Sequence, residues 1–228
     1  MTKVNKYVFG AHISERKFRL LLKLFCEDLT SVQISRISGI SRVTVNKYVR
    51  AIRLRINELC EQDSPFSGPV EVDESYFGAR RVKGKRGRGA HGKTIVFGIY
   101  KRNGKVYAQI VPDVTRSSLL SVIQRKVASD SEIHSDSWRA YDGLVDLGYK
   151  KHYRVNHTID EFVRGTNHIN GIEGFWGLAK TRLAKFKGIH RSTILLHIKE
   201  CEFRYNYRRD NIYKLLLKSF FSSKLKLS

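Results

Sequence analysis

The apolar residues of this chain change from a helical period to a strand-like one at a cluster of turn formers. Before it, Val45, Val49, Ile52, Ile56 and Leu59 step by four, three, four and three, the spacing of one helix face. After it, residues 70–77, 94–101 and 105–112 are short β-rich runs, the last two joined by Asn103-Gly104, a strong hairpin signal. Between them lies Asp63-Ser64-Pro65-Phe66-Ser67-Gly68-Pro69, which holds two of the chain's three prolines and suits neither period. A helix pattern does not settle into a sheet, nor a strand pattern into a helix. The chain therefore divides into a helical domain over 1–62, a linker over 63–69 and a mixed domain over 70–212.

In the first part, Thr30 followed by Gln33 has the form of a capping box and opens a short helix over 32–37. Gly39 ends that helix, and Ser41 is placed to cap the next one. Short helix, glycine turn and longer helix make a helix-turn-helix outline in a small all-α domain. The polar side of the second helix carries Arg42, Asn46, Lys47, Arg50 and Arg53. Those types suit phosphates and base edges in the major groove of DNA. The plainer reading is a helical bundle with a solvated basic face.

In the second part, helices over 117–127, 140–147, 170–186 and 192–208 are interleaved with, then follow, short strands over 133–136 and 151–156. That order predicts an α/β domain, a mixed sheet flanked by helices. Residues 213–228, rich in Lys, Leu and Ser, read as a frayed basic tail. The loop over 78–93 carries Arg80, Arg81, Lys83, Lys85, Arg86, Arg88 and Lys93 among glycines, with no acidic residue. Such a segment cannot build a core. It reads as an arm that grips phosphates and orders on DNA, against the bland alternative of a solvated loop. No Gly-Lys-Ser/Thr follows a strand there, which excludes a P-loop.

Charge narrows the class of partner. Lys and Arg number 43 against 21 Asp and Glu, a net charge of +22, which favours a polyanion. Phosphate contacts carry no sequence information, so charge alone does not separate DNA from RNA. No run of about 18 apolar residues occurs, so no membrane span is expected, and the N-terminus lacks the apolar core of a signal peptide. Cys26, Cys60 and Cys201 are widely spaced with no Cys-x-x-Cys pair, which argues against a zinc ribbon and fits a reducing cytoplasm.

Asp73 and Asp136 each interrupt an apolar strand-like run, where a carboxylate is costly unless paired or metal-bound. Each has a plainer role: Asp73 as a partner of Arg80, Asp136 as a helix cap. Glu173 adds a third acid on a predicted helix, with Lys180 seven residues on along the same face and Asn170 three residues before it. Carboxylates at strand ends and on a nearby helix are what holds Mg²⁺ against a phosphodiester. His134 and His168 read as structural, and Trp138, Phe175 and Trp176 as packing.

Four segments together resemble the DDE transposases of the IS1595 insertion-sequence family, with their ISXO2-like domain. They are Val72-Asp73-Glu74-Ser75-Tyr76 with the basic loop after it, Ser135-Asp136-Ser137-Trp138-Arg139-Ala140-Tyr141, the stretch from His168 through Glu173 to Lys180, and 202–208. The resemblance implies an RNase H-like catalytic core acting in the bacterial cytoplasm, on the nucleoid. By it Asp73 and Asp136 are metal ligands and Lys180 contacts DNA near the cleaved end. The third ligand is Glu173 or Asn170; Glu173 is favoured because a carboxylate binds Mg²⁺ better than a carboxamide does. The implied cofactors are two Mg²⁺ ions, with Mn²⁺ as a substitute. The implied substrates are double-stranded DNA, both terminal inverted repeats and target, brought together by a homodimer or larger assembly. Arg204 and Arg208 are expected as an exposed backbone-gripping pair, with Phe203 and Tyr207 in the core. Competing readings are an RNase H-like nuclease without strand transfer and a DNA-binding regulator with a remnant catalytic domain.

Overall fold

The structure is a computed structural model that describes residues 5–62, 66–78, 93–102, 104–136, 149, 151–155, 169–186 and 188–227, without side chains at 136 and 151–155. Residues 79–92 of the basic loop and the helix expected over 140–147 therefore lie outside the described residues. The chain forms two compact units, Met1–Glu61 with Tyr207–Ser228, and Gln62–Asn206.

The first unit begins with α1 (Glu15–Cys26), α2 (Ser31–Ser38) and α3 (Arg42–Glu61). The end signals act as the sequence predicts. Gln33 N–H donates to Thr30 Oγ1 and the Gln33 side chain accepts from Thr30 N–H at 2.9 Å, closing the capping box. Gly39 ends α2 at φ +65°, a left-handed conformation that costs glycine nothing. Ser41 Oγ then accepts from Thr44 N–H at 3.2 Å at the start of α3. Phe18, Leu21, Ile34, Val45, Tyr48 and Ile52 form the shared core.

The C-terminal residues correct the expectation of a frayed tail over 213–228. Ile212–Ser222 form α7, and Leu216 and Phe220 are fully buried, with the Phe220 ring edge-on to Phe18 at 6.0 Å. The next residues return as an extended segment, in which Leu225 N–H donates to Tyr7 O at 2.8 Å and Phe9 N–H donates to Leu225 O at 2.9 Å. Arg55 of α3 donates to Ser219 O (3.2 Å), which also accepts the cap N–H of Ser223, and to Ser223 O (2.9 Å), a cation at the C-terminus of α7. Apolar residues at 212, 216 and 220 recur at helical spacing, while Lys214 and Lys218 stay exposed. The basic composition is the outer face of a packed helix.

The second unit is built on a five-stranded sheet in the order β3-β2-β1-β4-β5. The strands are β1 (Pro69–Phe77), β2 (Thr94–Lys101), β3 (Val106–Val111), β4 (Glu132–Asp136) and β5 (Lys151–Val155). β2 runs antiparallel to β1 and β3, whereas β4 runs parallel to β1 and β5. Alternation sends Val70, Val72, Phe97 and Ile99 to one face, under α4 (Arg116–Lys126). Phe77, Val96 and Tyr100 lie on the other, under α5 (Asn170–Leu183) and α6 (Arg191–Asn206). This mixed sheet flanked by helices has the expected RNase H-like order. The open edge of β3 is closed by α6: Val106 N–H donates to Asn206 Oδ1 at 2.7 Å and Ala108 N–H to Glu202 Oε2 at 2.9 Å.

Candidate active site

Asp73 lies in mid-β1 on the face under α5, opposite Gly98 of β2. Parallel pairing with β4 runs Pro69↔Glu132, Val70↔Ile133 and Glu71↔His134. Pairing of β1 with β4 stops at Glu71 and His134; the same offset carried two residues further would set the backbone of Asp136 opposite that of Asp73. β4 ends there, while β1 continues to Phe77, so the basic loop leaves the sheet about 13 Å beyond Asp73 at that same end.

Two contacts seat α5 on this strand. Ile172 N–H, in the first turn of α5, donates to Glu71 Oε2 at 3.0 Å. Ile169 at the N-cap position makes no side-chain cap, so Glu71 caps the helix from the sheet. Arg102 Nε holds the other oxygen, Glu71 Oε1, at 3.1 Å, and Glu71 is only 1% exposed. One turn on, the indole N–H of Trp176 donates to Asp73 Oδ2 at 3.0 Å. Close approach requires glycine twice. A Cβ on Gly171 would lie 2.1 Å from the Tyr100 ring, and one on Gly98 2.5 Å from Trp176 Cζ2.

The orientation of α5 follows. Ile172, Phe175, Trp176, Ala179 and Leu183 form its buried arc. Its Gly171 and Phe175 flank meets Tyr100 of β2 and Tyr205 of α6, the latter at 5.4 Å between rings. At about 100° per residue, Glu173 and Lys180 lie within about 20° of each other on the opposite flank. Asn170 is about 60° further round, away from the sheet. All three side chains are exposed.

The structure thus places Asp73 on the α5 side of β1 and Asp136 at the end of the neighbouring β4, with Glu173 and Lys180 exposed on α5. Among the described residues no three His, Cys, Asp or Glu side chains cluster closely enough to hold a metal; the side chain of Asp136 is not among them. The donor types fit Mg²⁺, since all three acids offer oxygen alone. Of the other sequence candidates, Arg42, Asn46, Lys47 and Arg50 are exposed on α3, and Arg53 is half-buried. Arg80, Arg81, Lys83, Lys85, Arg86 and Arg88 lie outside the described residues, and Lys93 is half-buried. Arg204 is a correction. Its side chain is 13% exposed and binds buried Glu200 at 2.9 Å one turn earlier, so it is a strut between helix turns. Arg208 is exposed, Phe203 is core as expected, and Tyr207 is only half-buried. Glu71 is the residue that sequence reading missed.

A helix-flanked mixed sheet in the order β3-β2-β1-β4-β5, the RNase H-like order, is the class that this fold defines. Residues 65–206, more than half of the chain, match the family described as the ISXO2-like transposase domain, the DDE type of IS1595, and the chain belongs to that family. An uncharacterized transposase-like protein of Haemophilus influenzae is 43% identical over 102 residues, 45% of this chain and 81% of the relative. An uncharacterized protein in transposable element ISH50 of Halobacterium salinarum is 28% identical over 155 residues, 60% of this chain and 52% of that relative, so the chain spans about half its length. Likeness to solved structures is slight and assigns no residue. A chain in the structure of the simian T-cell lymphotropic virus intasome in complex with PP2A regulatory subunit B56 gamma has TM-score 0.39 at 12% identity, covering 82% of this chain and 68% of that one. The Mos1 transposase paired-end complex with left transposon end has TM-score 0.28 at 12% identity, covering 95% and 82%. Among the described residues no helix is long and apolar enough to cross a membrane.

Proposed function

We propose that this member of the transposase family is an insertion-sequence transposase that cleaves DNA at its element's ends and joins the freed 3′-hydroxyl to target DNA. The observation that carries the reading is the parallel pairing of β1 with β4, the two neighbouring strands on which Asp73 and Asp136 lie. Asp73, Asp136 and Glu173 would hold the Mg²⁺ ions; Glu173 is preferred to Asn170 because a carboxylate binds Mg²⁺ better than a carboxamide does. Bound there, the ions would supply activation of the attacking hydroxyl and stabilisation of the leaving oxygen. Lys180, on the Glu173 flank, offers a cation to a backbone phosphate beside the reacting one. Direct displacement needs no protein nucleophile, which agrees with the burial of Ser75 at 4% exposure.

End recognition falls to α3, whose exposed Arg42, Asn46, Lys47 and Arg50 fit a major groove. The basic loop would grip phosphates beside the acids. Two ends must be held at once, so the active species on DNA is a homodimer or larger. The test is to incubate the protein with a labelled element end, supercoiled plasmid and Mg²⁺. Joined products are expected. Nicking alone would replace the reading with a nuclease, and binding without cleavage would replace it with a regulator.

A further inference from the structure

We propose that Trp176 is the positioning residue of Asp73, its indole N–H fixing the orientation of the carboxylate before a metal ion arrives. The inference rests on the reading of Asp73 as a metal ligand. Packing alone does not require an indole here. Trp176 sits between Phe175, at 5.0 Å between ring centroids, and Phe77, at 5.9 Å, a slot of apolar rings. What tryptophan adds is one N–H, and it is spent on Asp73 Oδ2 at 3.0 Å. A donor on an ionised carboxylate makes the stronger, charge-assisted kind of hydrogen bond. Gly98 is the third member of the arrangement. It pairs with Asp73 across the ladder, and its missing side chain is the space that the indole fills, 2.5 Å from where a Cβ would stand. Any larger residue at 98 would push the donor off the acid. A buried partner that orients a metal-binding carboxylate sets how much ordering is left for the ion to do.

The chain has two tryptophans, Trp138 and Trp176, so ¹⁵N-indole labelling yields two amide-like cross-peaks, and Trp176→Phe assigns them. Asp73→Ala should move the Trp176 cross-peak away from its hydrogen-bonded position; an unmoved peak overturns the proposal. Trp176 is then replaced by β-(3-benzothienyl)alanine, which keeps the shape of the side chain and exchanges N–H for sulfur. Binding of Mn²⁺ alone is followed by electron paramagnetic resonance, and folding by the thermal midpoint. The isostere should keep its midpoint and bind Mn²⁺ about tenfold more weakly. Equal affinities would overturn positioning alone. A wild-type protein that binds no Mn²⁺ would overturn the metal reading, and the proposal with it.

Discussion

Glu71 offers the sharpest test of how the helix that carries Glu173 and Lys180 is seated. Its carboxylate makes two separable contacts, the cap on Ile172 N–H and the pair with Arg102. Glu71→Gln keeps a carbonyl oxygen for the amide and removes the charge; Glu71→Ala removes both. Loss of a helix cap costs about 1 kcal/mol. Stranding the partner of a buried pair costs about 3–5 kcal/mol. Arg102 keeps 17% of its side chain exposed and can reach water, so about 1–2 kcal/mol of that is expected here. Glu71→Gln should therefore destabilise the second unit by about 1–2 kcal/mol and Glu71→Ala by about 2–3 kcal/mol. Urea unfolding followed by tryptophan fluorescence reads this unit, because Trp138 and Trp176 both belong to it. Equal losses in the two variants would refute the cap, and losses under about 0.5 kcal/mol in both would refute the anchor altogether.

Other expectations follow from the packing. Gly98→Ala places a Cβ 2.5 Å from Trp176 Cζ2 and 2.8 Å from Ile172 Cδ1, an overpacking worth about 1–3 kcal/mol in the same unfolding assay. Gly174 and Gly177 are exposed within α5 with nothing within 4 Å of an added Cβ, so alanine at either should stabilise by about 0.5–1 kcal/mol. Phe220→Ala should cost the first unit about 3–5 kcal/mol, seen as an earlier loss of helical circular dichroism and as weakened binding to the terminal repeat.

Elements whose cause is local were legible in the sequence. Thr30 with Gln33, Gly39 and Ser41 set the ends of α2 and α3 through neighbours three or four residues away. Thr94–Lys101 is β2 as predicted from its β-branched run. What escaped was created by distant parts of the chain. Glu71 looks like one more polar residue of an alternating strand, because its partners Arg102 and Ile172 lie 31 and 101 residues away. α7 looked like a tail because the core that receives Phe220 is supplied by α1, about two hundred residues earlier. The glycines at 98 and 171 have no signal of their own; each is explained only by the ring that occupies its space. Arg204 is the exception: Glu200 stands four residues before it, so the pair was readable on a helical wheel.

The central claim is that Asp73 and Asp136 are metal ligands of a strand-transfer site on this fold. Asp73→Asn and Asp136→Asn are each assayed in Mg²⁺ for joining of a labelled element end to plasmid, beside binding of the same end. The account predicts that each variant loses joining while binding the end as tightly as the unaltered protein. Joined product from either variant at the unaltered rate would contradict it.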